Sequence, residues 1–151
     1  MNVSEYESLI REFYPLMKSS EDIADVRIAP DKWTLKEMAS HLVDSASNNH
    51  QCFIRLQTDN SLVFPGYDQE EWKNISHVSS CDFGLIIDLW KSFNLYLLHI
   101  IRNIGNEYLD NRWDRNGDPI TLKDLVVDYF KHMTVHLKMY RDRINEIKAA
   151  R

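Results

Sequence analysis

The last stretch of the chain constrains the fold most. Leu122, Leu125, Val126, Tyr129, Met133, Leu137, Tyr140, Ile144 and Ile147 recur three or four residues apart, with no glycine or proline among them. A helix of that length, rising about 1.5 Å per residue, crosses a whole small domain. Its apolar face needs other elements to cover it. With only 4 Gly and 4 Pro in 151 residues, those covering elements are expected to be long helices, not the many short strands of a sandwich or barrel.

Three further segments carry the same periodicity. Near the start, Ser4 and Glu7 form a capping-box pattern, and Tyr6, Leu9, Ile10, Phe13, Tyr14 and Met17 follow at helical spacing. Pro15 predicts a kink or an early end there. Thr34 with Glu37 opens a second helix, striped by Leu35, Met38, Leu42, Ala46, Phe53 and Leu56 and running to about residue 57. Asp82 caps a third, with Leu85, Ile86, Leu89, Phe93, Leu97, Ile100, Ile101 and Ile104 as its inward stripe and Gly105 as its stop. The fourth starts at Thr121, with Asp124 as capping partner. Four amphipathic helices sharing one core predict an all-α four-helix bundle, a single domain over residues 1–151.

The connection from Ser61 to Ser80 is too long to be idle and is a candidate lid. It has a turn at Pro65-Gly66, a short helix expected between Asp68 and Asn74, and aromatic anchors at Tyr67 and Trp72. Between Asn111 and Pro119 lies a polar turn region around Asn116-Gly117. It has room for a tight hairpin, but its flanks do not alternate.

Several function classes are disfavoured. A net charge of −5 argues against nucleic acid as the main partner. Cys52 and Cys81 form no CxxC pair, so a thiolate zinc site or disulfide framework is not expected. The opening MNVSEYESLI has neither a basic nor an apolar leader region, and no apolar stretch reads as a membrane span, so the expectation is a cytoplasmic protein. No Gly-rich phosphate loop, GxSxG elbow or EF-hand ligand ladder occurs. Glu70-Glu71 reads as a solvated turn, and Lys138, Arg141, Arg143 and Lys148 read as complements to a helix dipole.

The strongest chemical signal is His132-Met-Thr-Val-His136. Imidazoles at i and i+4 share a helix face, and both fall on the apolar stripe. Histidines facing a core need either hydrogen-bond partners or a metal. The motif lacks the carboxylate of HExxH. His41 lies at the edge of the second helix's inward face, on a polar seam with Asp44, Ser45 and Asn48. If the second and fourth helices are neighbours, His41 completes a triad that leaves coordination positions open. Asp44, one turn from His41, is either an orienting carboxylate and base or a solvated residue on the helix flank. His50, about 13 Å further along, is expected to be structural, and His77 and His99 belong to no pattern. Cys52 reads as a packed thiol.

The segment from Trp33 to Asp44, its continuation from Ser45 through His50 to Arg55, Phe64-Pro-Gly-Tyr67-Asp68 with Trp72, and Thr121-Leu with Asp128-Tyr-Phe-Lys-His132-Met-Thr-Val-His136 together resemble the DinB-like superfamily, which includes YfiT-like proteins. The resemblance covers nearly the whole chain in order. It implies an up-down-down-up bundle and a divalent metal, nickel or zinc, on His41, His132 and His136. Val135 departs from it, since many relatives have histidine or glutamate there. Similar proteins include S-transferases using low-molecular-weight thiols and metal-dependent hydrolases, so the fold alone leaves the chemistry open.

The expectation is therefore a metal-dependent enzyme acting on a small molecule, a thiol S-transferase or a hydrolase. Asp44 is a candidate base, and Asn48, Tyr67 and Trp72 are candidate pocket residues. Arg55 is the cation nearest in sequence for a thiol cosubstrate, although a surface role suits it better. The alternative is a non-catalytic metal- or ligand-binding bundle, and a homodimer through an exposed helix face is a further expectation.

Overall fold

The computed structural model describes residues 3–115 and 117–150. The first helix, α1 (Val3–Lys18), does not break at Pro15. The proline sits in the last turn, where one lost backbone bond costs little, and Ile10, Phe13 and Met17 anchor the helix in the core. Ser4 lies inside the helix instead of capping it, and Glu7 pairs with Arg11 and Arg102 at 2.8 and 2.5 Å.

The second helix, α2 (Leu35–Arg55), forms its expected capping box. The Glu37 amide donates to Thr34 Oγ1 at 3.2 Å, and the Thr34 amide donates to Glu37 Oε2 at 2.8 Å. A short α3 (Gln69–Ile75) follows, capped by Asp68. Next comes α4 (Phe83–Arg102), capped by Asp82 through the Leu85 amide at 2.7 Å.

The expected stripe of α4 needs correction. Leu85 and Leu89 are 61% and 48% exposed, whereas Ile87, Trp90, Asn94 and Leu98 turn inward. Apolar residues surround so much of this helix that periodicity alone cannot pick its buried side. By length and composition α4 is also apolar enough to cross a membrane, contrary to the sequence reading; here it packs against α1 and α2. It ends at Arg102, before Gly105.

The final helix, α5 (Leu122–Ala149), is capped by Thr121, which accepts from the Asp124 amide at 3.1 Å, and every expected core residue on it is buried. Its basic residues do more than complement the dipole. Arg141 pairs with Glu12 at 2.7 Å, and Arg143 is buried, donating to the Trp33 carbonyl and to Glu146.

The helices α1, α2, α4 and α5 make the bundle. α2 packs against both α4 and α5, and α1 packs against α4. The circuit closes where Tyr6 of α1 stacks on Phe130 of α5 at 3.8 Å between ring centroids, and where Ser20 and Tyr140 hydrogen-bond at 2.8 Å. Consecutive helices α1 and α2 therefore occupy opposite corners.

A small sheet was not foreseen. β1 (Ser61–Val63) pairs in parallel with β2 (Arg112–Arg115), and β2 pairs antiparallel with β3 (Asp118–Thr121). The hairpin forms without alternating flanks because Trp113 alone supplies the burial on β2, at 3% exposure. Its Nε1 donates to the Phe64 carbonyl at 2.8 Å. Gly117 provides the left-handed turn, with φ of 89°.

Candidate metal centre

Two helices bring the three histidines together. His41 comes from the second turn of α2, and His132 and His136 come from successive turns of α5. The adjacency of α2 and α5, on which the triad depended, is met. Nε2 of His41 and Nε2 of His132 stand 3.3 Å apart. One nitrogen from each of the three rings lies within 4.8 Å of the others.

Electrostatics favour neutral imidazoles. Burial, reinforced by the neighbouring His136 and His132, pushes His41 down to about 3. Burial and His132 push His136 down to about 4. His132 is lowered by burial, partly countered by the carboxylate of Asp128. Neutral rings carry the lone pairs that a metal needs.

The residues fit a divalent metal. Two nitrogens each about 2.0–2.1 Å from one ion at a tetrahedral angle stand about 3.3–3.4 Å apart, which matches the His41–His132 spacing. Without an ion, the two facing Nε2 atoms satisfy only each other, and His41 Nδ1 is buried with no partner among the described residues.

An open cavity of about 200 Å³ adjoins His132, lined also by Ser45, Asn48, Asn49, Tyr67, Trp113, Arg115, Asp128 and Tyr129. Ser45 Oγ lies 3.4 Å from His132 Nδ1 and so is the group that orients this ring. Asn48 is buried on the wall and makes no side-chain hydrogen bond to a described residue, so its amide is available to a ligand. A second cavity, of about 260 Å³, opens on the His136 side between Trp33, Met38 and Met139. The triad thus sits between two openings.

The connection roofs the site. Tyr67 packs at a tilt against Trp72 at 4.5 Å and lies 6.3 Å from His41, ring centroid to ring centroid. Burial raises the Tyr67 phenol to about 12, so it remains a hydrogen-bond donor at neutral pH. The indole of Trp33 donates to Glu70 at 2.8 Å, and Lys73, which pairs with the same carboxylate within α3, sits 4.7 Å over the Trp33 ring, so that α3 is pinned to the start of α2. Glu70 is therefore a structural tie, not an idle turn residue.

Asn48 and Tyr67 share the cavity that His132 lines, whereas Trp72 stands behind Tyr67. Asp44 makes no hydrogen bond to any of the three imidazoles; it lines cavities on the other flank of α2, beside Trp72 and Ser76. Arg55 sits over the Phe64 ring and bonds to Gln51 at the surface. His50 packs near Phe93 and Tyr96. Cys52 is fully buried, its thiol pushed up to about 12.

Two residues were missed. Asp128 is one helical turn before His132, a spacing that could have marked it as a carboxylate beside the metal face. Arg115 reaches the cavity from the hairpin, and no periodic signal pointed there.

No protein-family model matches the chain, and no curated protein matches it. Among solved structures, YfiT from Bacillus subtilis, described as a probable metal-dependent hydrolase with an unusual four-helix bundle topology, superposes with a TM-score of 0.76. The match spans 95% of this chain and 87% of that one at 16% sequence identity. At that identity the likeness establishes architecture: this chain has the four-helix bundle fold of YfiT.

Proposed function

We propose that this protein is a metal-dependent hydrolase acting on a small molecule, with His41, His132 and His136 holding one divalent metal. The observation that carries the proposal is the convergence of three neutral imidazoles from α2 and α5 beside an open polar cavity. Description of YfiT as a probable metal-dependent hydrolase supports the same reading. Three imidazoles suit zinc or nickel and leave positions for exogenous ligands. A bound divalent ion supplies Lewis acidity at the cavity.

The chain's own groups supply the rest. Asn48 and the Tyr67 phenol bind and orient polar atoms of the substrate, and Tyr67 with Trp72 limits water access from above. Asp128 offers the carboxylate that takes up or returns a proton within the cavity. Ser45 holds the His132 ring in place.

A second reading, S-transfer from a low-molecular-weight thiol on the same metal, draws on Arg115. Arg115 lines the cavity, with its guanidinium over the Trp113 ring and 3.7 Å from Asp118, and offers the cationic clamp that an acidic cosubstrate needs.

The test is elemental analysis of untagged protein followed by substrate screening with and without a chelator. Near-stoichiometric zinc or nickel, with ester or amide hydrolysis that chelation abolishes and metal restores, supports hydrolysis. A protein that takes up no divalent metal would sink the proposal. Metal-dependent turnover that requires a thiol acceptor would replace it with the second reading.

A further inference from the structure

Asp44 is the polar group that the site leaves unexplained. Its carboxyl makes no hydrogen bond or ion pair with a described residue, yet it is half-buried. It stands with Ser76 at the junction of two cavities of about 210 Å³ each. One is walled by Val43, Val78, Ile86 and the exposed leucines 85 and 89, and the other by Trp72 and Ile75. Among the described residues that line this groove, no other carries a formal charge.

An ionised carboxylate in apolar surroundings is costly without a counter-charge. Burial pushes this one up to about 6, so it is largely ionised at neutral pH and still lacks a cation. Lys73, the lysine of α3, is committed to Glu70. A neutral hydrocarbon filling the groove would strip the carboxylate of its remaining water, and an anion would be repelled by it. A compact cation with an apolar tail answers both features: its ammonium meets Asp44 beside the Trp72 ring, which itself attracts cations, while its tail covers the leucines. Two adjoining concavities of this size suit a small ligand better than a flat protein face.

We propose that the groove formed by α2, α3 and α4 around Asp44 is a binding site for a small organic ammonium ion with an apolar tail, separate from the histidine centre.

The experiment is an NMR titration of the isotopically labelled full chain at pH 8 with hexylammonium, with 1-hexanol as the uncharged match, on the native protein and on Asp44→Asn. The expected result is saturable binding of hexylammonium with shifts at residues 40–44, 72–78 and 85–89. Binding should be at least about tenfold weaker for hexanol and for Asp44→Asn, the scale of one lost charge-assisted contact. Four results would overturn the proposal: no saturation in the millimolar range; equal binding of hexanol; undiminished binding in Asp44→Asn; or shifts centred on Asn48 and His132, which would place the amine at the metal centre. Sedimentation of the same samples adds a further check. A dimer that dissolves in Leu89→Gln and is unaffected by hexylammonium would assign the groove to a second copy of the chain and also overturn the proposal.

Discussion

The polar clusters inside this bundle are built on two opposite principles. Around Tyr129 the cluster is closed, save for the buried Trp90 Nε1, which has no partner among the described residues. The Tyr129 hydroxyl donates to Asn94 Oδ1, and Asn94 Nδ2 donates to the Trp90 carbonyl at 2.8 Å, with all three residues buried. The Tyr140–Ser20 pair is closed in the same way, since Ser20 also reaches the Met17 carbonyl at 2.8 Å. Around His41 the cluster is open: three imidazoles face one another, one ring nitrogen has no partner, and cavities flank the group. A closed cluster spends its hydrogen bonds on joining helices. An open one keeps lone pairs for something that arrives from outside.

The largest expected effect separates the two directly. His41→Ala, His132→Ala and His136→Ala should each cut bound metal from near one equivalent to a small fraction of that, measured by elemental analysis. Tyr129→Phe should leave metal content unchanged. Equal metal in all three histidine variants would refute the triad. Next, Asn94→Leu leaves the buried Tyr129 hydroxyl without its acceptor and should cost about 1–3 kcal/mol in denaturant unfolding. If it costs nothing, the closed cluster is not a structural tie.

The third contrast uses pH on metal-free protein. His41 and His136 have folded-state values depressed to about 3 and about 4, below the ordinary 6.5. Below 6.5 the unfolded chain takes up protons at these rings that the folded chain refuses. The stability they contribute is thus complete above pH 6.5 and lost as pH falls toward 4. Denaturant midpoints at pH 7.5, 6 and 5 should fall, and the fall should shrink in His136→Ala. The smallest effect belongs to Asp44, whose folded-state value is raised. Its ionisation opposes folding as pH rises through about 6, so Asp44→Asn should be neutral or stabilising by up to about 1 kcal/mol at pH 8 and lose that advantage at pH 4. Thermal melts at the two pH values decide this.

Much of this was legible because periodicity and capping act locally. The α2 capping box at Thr34 and Glu37 and the core stripe of α5 follow from spacing alone. The convergence of the three histidines was legible because i, i+4 spacing places His132 and His136 on one face and the contact of α2 with α5 brings His41 to them. What escaped depends on partners distant in sequence. The strand at Ser61–Val63 exists only because Arg112–Asp114 lies beside it, and the short apolar signal there gives no hint of a parallel neighbour. The outward turn of Leu85 and Leu89 was hidden because α4 is apolar on nearly every side. The surroundings of Asp44 depend on α3, which Glu70 and Lys73 tie to Trp33 at the start of α2.

The parallel pairing of β1 and β2 acts as a clasp on the segment 64–111, which contains both α3 and α4. Its closure entropy grows only slowly with the length enclosed, but three paired positions give few bonds to offset it. Such a clasp should open at a lower free energy than the bundle does, and the amides of β1 should exchange with solvent ahead of those in α2 and α5. Tyr67 is attached four residues beyond the end of β1. Each opening therefore loosens the roof over the histidines while the helices that position them stay packed. Exchange into the cavity is then timed by this three-position strand pairing, not by the unfolding of the bundle.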